Sequence, residues 1–106
     1  MIEDTLKPPY YAVIFTTQLS ENIEGYYEMA EKMDELAKKQ DGYLGVESAR
    51  SDVGITVSYW KNLEAITNWK NNIEHTEARD IGRDKWYKKY QLRICKVERE
   101  YGFEKK

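Results

Sequence analysis

Apolar positions along this chain recur at two spacings, and the switches between them divide it into alternating strands and helices. Tyr10–Leu19 (YYAVIFTTQL) is rich in β-branched and aromatic residues, which suits a strand. From Ile23 the spacing becomes helical: Ile23, Tyr26, Tyr27, Ala30, Met33, Leu36 and Ala37 share one face, with Ser20 placed to cap it. Lys38 and Lys39 suit the negative end of that helix dipole, and Asp41-Gly42 makes the turn that follows. Tyr43–Arg50 reads as a second strand, and Ser51-Asp52-Val53-Gly54 as a hairpin loop into a third at residues 55–60. Asn62 can cap the next helix, whose apolar positions are Leu63, Ile66 and Trp69. A break near Asn71-Asn72 leads to a further helix over residues 74–88, and residues 91–101 form the last strand.

The order β-α-β-β-α-α-β, with hairpin-paired middle strands and two crossovers, predicts an α+β chain of the ferredoxin-like class. This is a four-stranded antiparallel sheet with helices on one face. Such a sheet ordinarily alternates apolar and polar residues, but these strands do not. Tyr11, Val13, Phe15 and Leu19 point one way while Tyr10, Ala12 and Ile14 point the other, and in the last strand Leu92 and Ile94 oppose Cys95 and Val97. Both faces therefore need covering, and the helices suffice for one. A second copy of the sheet is the simplest cover, so the expected assembly is a homodimer with the two sheets stacked, a dimeric α/β barrel.

Composition narrows the classes of function. The 106 residues suit one domain at 10–103 behind a lead-in at 1–9 that Pro8-Pro9 closes. The net charge is −2 with the two signs mixed along the chain, so nucleic acid is not an expected partner. The local group Arg83, Lys85, Lys88, Lys89 and Arg93 is offset by Asp80, Asp84 and Glu98. No apolar run approaches the roughly 18 residues of a membrane-spanning helix, and the first residues lack the apolar segment of a signal peptide. A single cysteine, Cys95, leaves no intramolecular disulfide and no cysteine-based metal site. A cytoplasmic protein without membrane contact or bound metal is expected. The third strand lacks the basic, glycine-bearing motif of an RNA-recognition module, and Thr17-Gln18-Leu19-Ser20 lacks the glycine of a phosphate-cradling loop.

Candidate chemistry gathers after the third strand. At about 100° per residue, His75, Arg79, Gly82 and Trp86 fall in one arc of a helix that also holds Ala78. A histidine that keeps one nitrogen unprotonated can act as a general base near neutral pH, and equally can sit neutral against a backbone carbonyl. Arg79 can hold an anion or a developing oxyanion, or pair with Glu74, Glu77 or Asp80. Gly82 costs a helix about 1 kcal/mol relative to alanine, so close packing or a ligand requires the space. Trp69 and Trp86, with Tyr59 and Tyr90, can line a flat apolar pocket for an aromatic molecule or can belong to the core. Trp60 lies on the opposite side of its strand from Tyr59, so at most one of them lines a given pocket. Asn72 can orient a substrate oxygen or cap a helix.

These residues carry a resemblance. Gly42-Tyr43-Leu44-Gly45-Val46-Glu47-Ser48 is followed by Gly54-Ile55-Thr56-Val57-Ser58-Tyr59-Trp60. Ala65, Trp69, Glu74-His75, Gly82, Trp86-Tyr87 and Tyr90 come next, and the chain closes with Val97-Glu98-Arg99 and Tyr101-Gly102-Phe103. Over roughly residues 10–103 this pattern resembles the antibiotic biosynthesis monooxygenase family, whose members are dimeric α/β barrels of ferredoxin-like protomers. The resemblance implies a cofactor-independent monooxygenase of a small aromatic or quinol-type substrate. His75 would be its base, Arg79 its anion holder, and Tyr59, Trp69, Asn72, Gly82, Trp86 and Tyr90 the substrate-binding residues. It also admits a haem-degrading protein, or a dimeric binder of small molecules without turnover. Haem degraders in the family resemble one another in an asparagine near the end of the first strand, a tryptophan on the middle helix and an iron-ligating histidine ten residues later. Here Trp69 matches the tryptophan, while Thr17 and Arg79 stand in the other two places and His75 follows Trp69 by six.

Overall fold

The computed structural model describes residues 6–74, 80 and 82–105 of the chain. Its elements are β1 (Tyr10–Leu19), α1 (Tyr26–Lys38), β2 (Tyr43–Arg50), β3 (Gly54–Trp60), α2 (Leu63–Glu74), a π-helical turn (Gly82–Trp86) and β4 (Tyr87–Val97). The strands form one antiparallel sheet in the order β2-β3-β1-β4, the ferredoxin-like arrangement that the sequence predicts.

Register divides the sheet residues between two faces, because residues directly opposite one another on antiparallel strands share a face. Tyr11 pairs with Trp60, Val13 with Ser58, Phe15 with Thr56 and Thr17 with Gly54, and this face meets the helices. Tyr10, Ala12, Ile14, Val57 and Tyr59 occupy the other. The core on the helix side is a cluster of Val13, Ala37, Trp60, Ala65 and Ile66, with Tyr11, Tyr43 and Trp69 packed against it. Trp60 is fully buried at its centre, stacked on Trp69 at 6.0 Å and edge-on to Tyr43 at 5.7 Å. Its indole N–H donates to Ser58 Oγ at 2.8 Å, so burial leaves no unpaired donor. Gly42 makes this packing possible. Its φ is +85°, and an added Cβ would come within 2.6 Å of the Ala65 methyl.

Several boundaries differ from expectation for identifiable reasons. α1 starts at Tyr26 behind Gly25, which sits at φ +82°, and Ser20 does not cap it. The Ser20 N–H and hydroxyl instead donate to the carbonyls of Trp86 (2.7 Å) and Lys85 (2.5 Å), tying the end of β1 to the π-helical turn. Asn62 does cap α2, its Oδ1 accepting from the Ala65 N–H at 2.8 Å. That helix continues through Asn71-Asn72 without the expected break, because Ile66, Trp69 and Ile73 keep an apolar stripe at helical spacing. Leu63 is half exposed, and Ala65 takes the inward position expected of it. β4 begins at Tyr87, so the helix expected to reach Lys88 does not: Tyr87, Lys89 and Tyr90 pair with Leu19, Gln18 and Thr17. The step from Lys89 to Tyr87 against consecutive β1 residues marks a bulge, which absorbs one extra residue. Among the described residues no helix is long and apolar enough to cross a membrane.

Candidate functional site

One cross-strand row at the far end of the helix-facing side runs Arg50 (β2), Gly54 (β3), Thr17 (β1), Tyr90 (β4). Arg50 reaches along this row over its neighbouring strand. Its Nη2 donates to Thr17 Oγ1 and, at 3.3 Å, to the Tyr26 hydroxyl, while the guanidinium lies 5.7 Å from the Tyr26 ring centre. Gly54 is the condition for that path, since any Cβ there would run into the guanidinium. Thr17 is 3% exposed, and Arg50 supplies the partner its buried hydroxyl needs.

Aromatic side chains surround this polar centre. Phe15 meets Tyr87 at 5.6 Å and Tyr90 at 5.5 Å, and Tyr26 meets Trp86 at 5.8 Å and Tyr87 at 5.9 Å, mostly edge to face. Trp86 is buried at the end of the π-helical turn and donates its indole N–H to the Glu24 carbonyl at 2.8 Å. This bond joins the entry to α1 with the entry to β4. Burial, followed by the neighbouring Tyr26 phenol, raises the Tyr87 pKa well above the ordinary phenol value, with Arg50 opposing. Tyr87 is therefore a hydrogen-bond donor at neutral pH and not a base. Between α1 and β2–β3, beside Arg50, lies a groove of about 580 Å³, walled by Tyr26, Ala30, Val46, Ser48 and Thr56. The groove is about half open to solvent.

The residues expected at the site from the sequence separate into groups. Trp86 and Tyr90 come together around Phe15, Tyr26 and Tyr87, and Gly82 opens the turn that delivers Trp86. Trp69 lies in the apolar core against Trp60. Tyr59 does not join them. It faces the other side of the sheet, where its hydroxyl donates to the Glu47 carboxylate and its ring meets Tyr10 at 5.7 Å. Asn72 is half buried within α2, not at a helix break. His75 and Arg79 lie outside the described residues. Sequence reasoning missed Arg50 and Tyr26 as site residues. The only signal for Arg50 was an arginine ending one hairpin strand opposite a glycine that opens the next, and that pattern is common without function.

No model of a known family matches the chain. YqjZ of Bacillus subtilis (strain 168), an uncharacterized protein, is 49% identical over 105 residues, which span 97% of this chain and 92% of that one. Among solved structures, SnoaB, a cofactor-independent oxygenase from Streptomyces nogalater, superposes with a TM-score of 0.73 at 6% identity, over 88% of this chain and 97% of SnoaB. A Nitrosomonas europaea protein provisionally named an antibiotic biosynthesis monooxygenase gives 0.72 at 13% identity, over 88% and 94%. At these identities the structural matches speak to fold alone. The chain belongs to the family of YqjZ, and its fold is that of the antibiotic biosynthesis monooxygenases.

Proposed function

We propose that the chain is a cofactor-independent monooxygenase of a small aromatic or quinol-type substrate, acting as a homodimer. The observation that carries this reading is the cluster of aromatic rings, phenol hydroxyls and one guanidinium beside a groove on the helix-covered side of the sheet, in a fold shared with SnoaB. Electron-rich aromatic anions react with dioxygen directly, so the protein need only remove a phenolic proton, stabilise the anion and exclude water. For a phenol with a free para position the step balances without a cofactor. A base takes the phenolic proton, dioxygen accepts electrons from the phenolate, and a carbon–oxygen bond forms at the para carbon as a hydroperoxide. That carbon then loses its proton, the oxygen–oxygen bond breaks, and phenol plus dioxygen has become para-quinone plus water. His75 is the base in this proposal and Arg79 the anion holder, both assigned from the sequence, while Trp86 and Tyr90 supply walls.

Haem chemistry fits the described residues poorly. Thr17, which stands where haem degraders resemble one another in an asparagine, is buried with its hydroxyl engaged by Arg50, and Trp69 is held against Trp60. The homodimer is supported by the helix-free face, where Ile14 and Val57 are half buried and Ile55 is 46% exposed, an apolar strip that a second sheet would cover. An oxygen electrode with 1-naphthol tests the chemistry: one dioxygen consumed per naphthoquinone formed is expected, falling sharply in His75→Ala. Unchanged turnover in that variant removes the histidine from the mechanism. Light scattering at micromolar concentration should give twice the 12.6 kDa protomer mass, and a strict monomer would remove the dimer.

A further inference from the structure

We infer that Arg50, Thr17 and Tyr26 form an anion subsite that takes the carboxylate of a small aromatic acid, whose ring lies in the groove between α1 and β2–β3. The inference rests on the aromatic-ligand reading above for the class of ring, and adds where its charge is held. Arg50 has two of its five donor positions directed at hydroxyl oxygens, Thr17 Oγ1 and Tyr26 Oη, which orient the guanidinium without neutralising it. Among the described residues no carboxylate pairs with it. Asp34 also lines the groove, but its carboxylate is engaged by Lys38 at 2.9 Å, and Glu47 faces the other side of the sheet, where it accepts from Tyr59. The arginine as a whole is exposed.

Three further features match an aromatic acid. Both hydrogens of Arg50 Nη2 go to Thr17 and Tyr26, so Nε and Nη1 are the donors left to give a carboxylate charge-assisted hydrogen bonds, from a planar cation more weakly hydrated than an ammonium. Beside it the groove combines the Tyr26 ring with the small apolar side chains Ala30 and Val46, a surface for a flat ring. The positive end of the α1 dipole lies at the same place, since Tyr26 is the first residue of that 13-residue helix. Gly54 completes the device: by carrying no side chain it lets the arginine lie across β3 to reach Thr17.

Calorimetric titration of the full chain with 2-naphthoate and with its uncharged isostere 2-naphthamide tests the subsite. The acid should bind about tenfold more tightly than the amide, the scale of one charge-assisted hydrogen bond. Arg50→Gln should erase that preference while leaving the amide unchanged, and Arg50→Lys should restore part of it. Gly54→Ala should reduce it with the arginine still present, because the new methyl displaces the guanidinium. Equal binding of acid and amide, no binding of the acid at millimolar concentration, or a preference that survives Arg50→Gln would each overturn the inference. A carboxylate preference lost in Arg50→Gln, with no oxygen uptake from any phenol, would leave the subsite standing and remove the oxygenase reading. Oxygen uptake with no carboxylate preference would do the reverse.

Discussion

The two ends of the helix-covered face are built from similar side chains to opposite purposes. At the Trp60 end, aromatic rings close against Val13, Ala37, Ala65 and Ile66, and the one buried indole N–H is satisfied locally by Ser58. At the Arg50 end, aromatic rings instead surround hydroxyls and a guanidinium, and a groove remains beside them. Aromatic content therefore does not distinguish core from site in this chain. What distinguishes them is whether the polar atoms among the rings are used up by the protein or left facing a space.

Substitutions can separate the two ends by size of effect. Trp60→Ala, which empties the centre of the packed end, should cost about 3–5 kcal/mol in a urea melt. Gly42→Ala should cost about 2 kcal/mol, because it combines a left-handed backbone with a methyl driven into Ala65. At the other end, Trp86→Phe removes the indole bond to the Glu24 carbonyl and should cost about 1 kcal/mol. Arg50→Gln takes the partner from the buried Thr17 hydroxyl and should cost no more than about 1 kcal/mol, while abolishing the preference for aromatic acids. A large loss of stability in that last variant would make the arginine structural and dissolve the contrast between the ends.

Alkaline titration sharpens the same comparison. Burial raises the Tyr87 pKa in the folded state, and the folded protein therefore holds that proton where the unfolded chain releases it. Stability should be complete below pH 10 and fall as pH rises above it. Tyr10 on the opposite face adds to this between pH 10 and 12, because burial and the Glu100 carboxylate that accepts its hydroxyl push its pKa up to about 12. Titration of tyrosinate absorbance should show phenols ionising late, and Glu100→Gln should bring one of them back toward 10.0. Unchanged stability between pH 9 and 12 would contradict both assignments.

Local chemistry was sufficient for most of the architecture. The β-branched run at 10–19, the Asp41-Gly42 turn, the Asn62 cap and the hairpin at 51–54 each act within a few residues, and each specifies its element nearly alone. The doubled apolar pattern of β1 likewise follows from sequence, since alternate residues of a strand must face opposite ways. Boundaries set by partners distant in the chain were not legible. Ser20 reads as a helix cap until Lys85 and Trp86 arrive beside it, and Tyr87-Lys88 reads as the end of a helix until Leu19 and Gln18 offer a strand to pair with. The site divides in the same way. Trp86 and Tyr90 were visible as aromatics near the expected chemistry, but nothing in the sequence indicates that Arg50 crosses a glycine to reach Thr17, because that path depends on three strands lying side by side in register. Sequence by itself determined the order of the elements and most of their extent, and that the sheet has two apolar faces. Only the tertiary structure decided which rings pack as core and which surround a charge, because side-chain surroundings are set by contacts between residues far apart in the chain.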